Sequence, residues 1–445
     1  MSLTSLIPEF GGLMWTIAAF VVALSVIVFV HEYGHYIVAR WSGIRAEVFS
    51  IGFGPVLLSR TDRRGTQWQV AALPFGGFVK FLGDAGAASD KAAESYEALD
   101  AASRRQTMHG APLWARAATV AAGPVFNFIL SILVFSAIFM VQGTPKEPVE
   151  IGTLKAMPEA QQGLLPGDRI LAVAGREVDD YAGFFNEMRG IDVASGLTYE
   201  IERDGVRRSV EGPFPFPPVV DGLQAGSAAM DAGLRIGDVI TAVDGRAITA
   251  FRELQDAVAA SEGREMVLDV WRAGERMEFA LAPRRMDLPG AEGGFETRWL
   301  IGMTGGLLFT PATEMPDPLT ALGDGAEQTR FIIGNSLSGL WHMLTGAISS
   351  CNLRGPIGIA ETSGAAASQG ADSFIWFIAV LSTAVGLLNL FPIPVLDGGH
   401  LAFFAYEAVA GRPPNDRVMR ILMTIGLALL LTLMGFALTN DLFCP

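Results

Sequence analysis

The pattern His31-Glu32-Tyr33-Gly34-His35 stands at the end of an apolar run in which Leu13 to Val30 carry no charge. A run of that length is enough to cross a bilayer as a helix. On a helix, His-Glu-x-x-His puts two imidazoles at i and i+4, on one face and one turn apart. Two neutral imidazoles at that spacing can share a zinc ion, and Glu32 is placed to take a proton from water at the metal. The alternative is a polar helix end anchored by Arg40 and Trp41. Three titratable groups within a membrane span are costly and need a reason. His31 and His35 are therefore read as metal ligands, with Glu32 as general base.

The rest of the chain has a membrane composition: half of its 445 residues are hydrophobic and mean hydropathy is +0.37. That length accommodates two to four structural units. A net charge of −14 argues against nucleic acid as a partner. Two cysteines, Cys351 and Cys444, are too few for a zinc ribbon, so a metal here leans on histidine and carboxylate. A Cys351–Cys444 disulfide and two free thiols remain alternatives. The segment before the first run holds no Lys or Arg, so it does not read as a cleaved signal peptide. The first helix is taken as permanent.

Four spans are predicted, at 13–39, 117–141, 374–396 and 421–438. The loop between the first two carries Arg45, Arg60, Arg63, Arg64, Lys80, Arg104, Arg105 and Arg116, whereas the first twelve and last five residues have no basic side chain. The positive-inside rule then puts 41–116 and 397–420 in the cytoplasm and both termini outside. A helix starting at Met14 reaches His31 after ~25 Å, near the cytoplasmic edge of the bilayer. Within the loop, Gln67–Ala72 and Gly77–Phe81 read as strands of a β-hairpin turning at Pro74-Phe75-Gly76-Gly77. Gly52-Phe53-Gly54 forms a glycine-rich turn that allows close backbone approach. An open hairpin edge can pair with an extended substrate; a purely structural cap on the helix ends is the alternative. Residues 85–103, rich in Ala, Asp and Glu, read as a mobile insert.

An internal repeat lies between the second and third spans. Gly163-Leu164-Leu165-Pro166-Gly167-Asp168-Arg169-Ile170 returns seventy residues later (233 − 163) as Gly233-Leu234-Arg235-Ile236-Gly237-Asp238-Val239-Ile240. Each copy predicts a Gly-Asp turn, an apolar strand, a second turn and a helix, and resembles the PDZ domain, which adds a peptide strand to its sheet edge. Phe331–Ser349 is apolar but broken by Asn335, Ser336, Ser338 and His342, and reads as an amphipathic helix on the outer face of the membrane. His109 and His342 have no partner at ligand spacing and read as surface histidines.

A catalytic zinc site needs a third protein ligand. Asn389-Leu390-Phe391-Pro392-Ile393-Pro394-Val395-Leu396-Asp397-Gly398-Gly399-His400 offers two, Asp397 and its rival His400. The prolines break the helix and leave carbonyls that only protein or a cavity can cover at membrane depth. Asp397 is preferred, because its charge balances the ion. Asn389 is the amide of this stretch, available to a substrate backbone or to a neighbouring helix.

These motifs resemble the site-2 protease family of intramembrane zinc metalloproteases, and within it the bacterial tandem-PDZ type that cleaves anti-sigma factors in envelope stress signalling. The likeness is carried by His31-Glu32-Tyr33-Gly34-His35, Asn389 through Gly398, Gly52-Phe53-Gly54, Ala122-Gly123-Pro124 with Asn127, Leu353-Arg354-Gly355-Pro356-Ile357 and the repeat, and it covers nearly the whole chain. It implies Zn²⁺ held by His31, His35 and Asp397, with Glu32 as base. It implies a substrate groove formed by Asn389, Pro392 and Pro394 and by the hairpin region at Gly52, Phe53, Gly54, Gly76 and Gly77. The substrate would be a single-pass membrane protein already trimmed by another protease, an anti-sigma factor or a remnant signal peptide. The repeat would act as a periplasmic filter, in the inner membrane of a bacterium, among membrane lipid.

The expected fold is a polytopic α-helical membrane protein with two inserted PDZ-like α+β domains. Its divisions are 1–142 (two spans and the hairpin loop), 143–217 and 218–308 (the two copies), 309–373 (linker and amphipathic segment) and 374–445 (the last two spans). Two other functions compete with proteolysis. One is a membrane-anchored PDZ adaptor with a vestigial metal site, against which the intact Glu32 and Asp397 argue. The other is a zinc-moving membrane protein, which would want several intramembrane ligands along a path.

Overall fold

The computed structural model of the chain describes residues 6–84, 99–158, 163–224, 226–289 and 295–443, so most of the 85–103 insert and Cys444 lie outside the described residues. Cys351 is disulfide-bonded, which removes the free-thiol alternative for that residue. The chain divides into two compact units, one holding residues up to Ile138, Pro318–Trp341 and the chain from Leu353, the other holding Phe139–Asp317 and His342–Asn352.

In the first unit four helices are long and apolar enough to cross a membrane: Gly12–Trp41, Leu113–Gln142, Ala371–Asn389 and Arg417–Phe443. They match the four predicted spans with one shortening. The third stops at Asn389 rather than Leu396. Pro392 and Pro394 cannot donate to a helical ladder, and each disfavours helix in the residue before it. Val395 takes φ 92°, a conformation that costs a β-branched residue strain. A separate helix, Asp397–Ala410, starts two residues later and ends at Gly411, whose φ of 69° supplies the left-handed cap.

Buried polar groups join the second and third spans. Ser131 Oγ donates to the Ala379 carbonyl at 2.8 Å, and Ser382 Oγ to the Asn127 carbonyl at 2.9 Å. The second span approaches the first at Gly34, where a Cβ would stand 2.5 Å from the Ala122 carbonyl oxygen. A short helix, Pro356–Ser368, is docked at its start by Asp441, which accepts from the Gly355 and Ile357 N–H groups at 2.7 and 3.0 Å. The predicted amphipathic helix at 331–349 instead runs Pro318–Leu344, starting at a proline suited to a first helical turn. Charged and glycine residues at 323–330 keep it out of the set of candidate spans.

The loop after the first span forms a small sheet whose pairing differs from the predicted hairpin. Strands Ala46–Thr61 and Gln67–Phe81 pair with each other, and Gln67–Ala72 does not pair with Gly77–Phe81. Instead Phe49 faces Val79 on one side and Trp68 on the other, while residues 56–61 pair with 67–71. The first arm lies between the two predicted strands because Phe49, buried completely, must sit among Tyr36, Trp68 and Val79. Residues 77–81 are thereby left at an edge.

In the second unit the repeat becomes two four-stranded sheets of equivalent strand order. Arg169–Val173 and Val239–Val243 are equivalent strands seventy residues apart (239 − 169), and helices Tyr181–Arg189 and Phe251–Ala260 follow at the same offset. The core of the first copy also takes in Leu307, Leu308 and Phe309, and strand Phe309–Pro311 pairs with Ile151–Leu154.

Each copy staples its Gly-Asp turn in the same way. The fully buried Asp168 accepts from Arg203 Nε at 2.6 Å and from the Leu165 N–H at 2.7 Å, while Arg203 also donates to the Gly163 carbonyl. Asp238, Arg272, the Arg235 N–H and the Gly233 carbonyl repeat the arrangement. Removing one partner strands the other in a poorly solvated place. Asp238→Ala is therefore expected to destabilise its copy by roughly 3 kcal/mol, read as a lower midpoint of unfolding for the detergent-solubilised protein. An unchanged midpoint would show that Arg272 finds water instead.

Candidate active site

Two helices bring the three candidate ligands together. His31 and His35 project from the first span one turn apart, and Asp397 is the first residue of its own helix. The distances are 3.1 Å between His31 Nε2 and His35 Nε2, 3.1 Å from His31 Nε2 to Asp397 Oδ2 and 3.5 Å from His35 Nε2 to Asp397 Oδ2. Ligands at zinc–nitrogen and zinc–oxygen lengths of about 2.0–2.1 Å in a tetrahedron stand about 3.3 Å from one another. The three atoms thus match one face of a zinc tetrahedron. The imidazoles are 12% and the carboxylate 17% exposed, which leaves one side open.

The surrounding hydrogen bonds present lone pairs rather than protons to that face. His35 Nδ1–H donates to the Thr119 carbonyl at 2.8 Å, so its Nε2 is unprotonated in the neutral ring. His31 Nδ1 lies 3.2 Å from the Asn127 amide, whose Oδ1 is buried without a partner. With that amide turned about its axis, Oδ1 accepts from Nδ1–H and His31 Nε2 is left free for a metal. Asp397 Oδ2 is also buried without a hydrogen-bond donor. Three Lewis bases converging with no proton between them fit a cation.

Gly123 makes room for this cluster. A Cβ there would stand 2.3 Å from His35 Nε2 and 2.8 Å from His31 Cε1. Among the described residues His31, His35 and Asp397 form the one cluster suited to a metal. His400, the rival ligand, is outside it, with its ring edge-on to Phe403 at 6.2 Å. His109 faces Asp84 at 4.0 Å and is not part of the cluster.

Glu32 shares its turn of helix with the two histidines and lies under the sheet edge. A Cβ on Gly77 would stand 3.0 Å from Glu32 Cγ and 2.7 Å from the Ser50 carbonyl, and the Val79 N–H is directed at the Glu32 carboxylate. Gly77 thus lets residues 77–81 lie against the general-base candidate. Phe53 is 40% exposed, stacks on Phe78 and occupies the space that a side chain at Gly76 would need. Gly52 and Gly54 have φ of 88° and 83°, and a Cβ on Gly52 would meet the Leu73 carbonyl at 2.7 Å. The structure thus gathers Phe53, Gly76, Gly77 and Glu32, with Gly52 at the adjoining crossing.

The other predicted groove residues follow the third span. Asn389 Nδ2 donates to the Val385 carbonyl of its own helix at 3.1 Å, leaving its oxygen as the group for another donor. Pro392 is exposed, whereas Pro394 packs where Gly399 and Gly426 have no side chain. Sequence reasoning missed Thr119 entirely. Gly123 and Asn127 entered it only through resemblance. The available signal was Asn127 itself, an amide in the middle of an apolar span.

Comparison with known proteins follows the same lines. The model of peptidase family M50 matches residues 19–433. A provisionally named zinc metalloprotease of Agrobacterium fabrum is 34% identical over 433 residues, covering 97% of each chain. A Brucella suis protein of the same provisional name is 35% identical over 439 residues, covering 97% of this chain and 96% of its own. The regulator of sigma-E protease of Salmonella typhimurium is 34% identical over 463 residues, covering 97% of this chain and 99% of that protein.

Proposed function

The chain belongs to peptidase family M50 and is a zinc metalloprotease of the membrane, and we propose that it cuts a peptide bond within the transmembrane segment of single-pass proteins. The observation that carries the site reading is the triangle of His31 Nε2, His35 Nε2 and Asp397 Oδ2, closed to tetrahedral spacing inside an apolar bundle. We assign these three as the zinc ligands. Bound zinc supplies a Lewis acid for the scissile carbonyl and the attacking water. Glu32 accepts the proton of that water and returns it to the leaving amine. Thr119 and Asn127 hold the imidazoles in the tautomer that binds metal.

A transmembrane helix hides its peptide groups in its own hydrogen bonds and must be unwound before attack. The edge at 77–81 runs beside Glu32, so pairing there would replace lost substrate bonds next to the base. Phe53, with Gly52, Gly54, Gly76 and Gly77, would shape that side of the groove, and Asn389, Pro392 and Pro394 the other. The basic 41–116 loop supports a cytoplasmic site, with the termini and the two repeat copies on the outer side of a bacterial inner membrane. The Salmonella relative is named as a regulator of sigma-E, and an anti-sigma factor is the substrate class proposed here. Purified enzyme stripped with a chelator should lose cleavage of a trimmed single-pass reporter by more than about 100-fold and regain it with zinc. Full activity after verified metal removal would sink the assignment.

The two sheet domains are read as PDZ-like modules that admit only substrates trimmed by an earlier protease. Their structure supplies a natural excision point: Thr144–Pro145 pairs with Thr313–Glu314, so adjacent strands about 5 Å apart can be rejoined. Removing 146–312 is expected to let untrimmed substrates be cut at a rate near that of trimmed ones. Unchanged discrimination would place the filter elsewhere.

A further inference from the structure

The zinc triangle draws on two elements far apart in sequence, and what holds the Asp397 helix in place is a separate question from what the ligands do. Resting on the site reading above, we propose that Arg116 and Glu407 are positioning residues: their ion pair clamps the Asp397–Ala410 helix to the second span and so sets Asp397 against His31 and His35.

Asp397 is not continuous with the helix of the third span: a tight turn over 390–396, packed on Gly398 and Gly399, fixes where its helix starts, whereas the direction of that helix is fixed further along. The connection from the third span is non-helical, carries two prolines and includes Val395 at φ 92°, and Leu396 gives the helix no side-chain cap. The direction of the helix is set by the face that it shares with Asp397. Leu401 and Phe404, at the fourth and seventh positions onward, pack on the cluster of Tyr36, Phe49 and Val79. Glu407, ten residues and ~15 Å along the axis, completes that face.

Glu407 meets Arg116 in a two-pronged contact, Nη1 to Oε2 at 3.0 Å and Nη2 to Oε1 at 2.5 Å, with side chains 15% and 17% exposed. The guanidinium also lies over the Phe404 ring at 5.2 Å. Arg116 stands three residues before Thr119, whose carbonyl holds His35 Nδ1. One rigid turn of the second span therefore grips a ligand histidine with one residue and the Asp397 helix with another. Beyond Glu407 the chain leaves through Gly411 into an exposed loop, which adds no further hold. A partly buried ion pair contributes little net stability because both charges lose water, but it fixes register well, since a guanidinium fork accepts a carboxylate in few orientations.

The test compares wild type with Arg116→Glu, Glu407→Arg and the double exchange, using Asp397→Ala as reference. Zinc affinity is measured by chelator competition on folded protein in detergent, alongside reporter cleavage. Each single reversal is expected to weaken zinc about 10- to 100-fold, and the double exchange to restore it to within about threefold. Should the reversals fail to accumulate as folded protein, Glu407→Gln and Arg116→Lys replace them, with a smaller weakening expected. Unchanged zinc affinity in the folded single variants, while Asp397→Ala loses zinc, would refute the clamp and leave the site reading standing. Zinc retention in Asp397→Ala would instead overturn the site reading on which the clamp depends.

Discussion

Glu32→Gln is expected to lower cleavage of a trimmed single-pass reporter by about 10³-fold without loss of bound zinc. The two effects separate because Glu32 is beside the triangle of His31, His35 and Asp397 and not part of it. Glutamine keeps the shape of the side chain and an oxygen for the Val79 N–H, so residues 77–81 remain where they are. It cannot take a proton from water at neutral pH, so the nucleophile is no longer generated at the site. Cleavage products in membranes at equal expression, with zinc measured on the purified variant, read out both halves. Equal cleavage by wild type and variant would remove Glu32 as the base, and a capture role for the paired sheet domains would then be the stronger reading.

Gly123→Ala should be as damaging by a different route, losing zinc and activity together. The added methyl would lie 2.3 Å from His35 Nε2 and 2.8 Å from His31 Cε1, inside the space of the rings themselves. A flexible chain end could move aside at little cost. These rings cannot, because His35 is tied to the Thr119 carbonyl and His31 to Asn127. Relief would require both imidazoles to rotate or the two spans to separate at Gly34, where the backbones already touch. Zinc affinity is expected to fall by about 100-fold or more, measured by chelator competition. An alanine variant with normal affinity would mean that the two spans slide past each other more easily than their packing indicates.

Much of the site was legible because its parts are local. The i, i+4 spacing of His31 and His35 forces them onto one helical face in any environment, and an apolar run around them says where that face lies. Asp397 could be singled out as the acid after a proline-broken span, and the repeat announced itself by its register. The pairing of the loop was not legible. Gln67–Ala72 and Gly77–Phe81 look like the arms of a hairpin by composition, yet Phe49 comes between them, because burying it against Tyr36 and Trp68 outweighs the short connection. Nor was the partner of each Gly-Asp turn visible, since Arg203 and Arg272 resemble any strand arginine until the fold carries them back to Asp168 and Asp238.

The sequence alone determined the elements whose interactions span a few residues: four apolar helices, the turn that carries His31 and His35 on one face, the helix break before Asp397 and the doubled module. Tertiary structure decided everything that depends on closing long loops. It brought Asp397, and not His400, to the two histidines, put Thr119 and Asn127 behind the imidazoles, emptied Gly123 to receive them and set Arg116 on Glu407. The physical reason is one of range. Helical periodicity and backbone breaks act through neighbours that the chain always keeps close, whereas a contact across hundreds of residues exists only once packing has offset the entropy of bringing its two ends together.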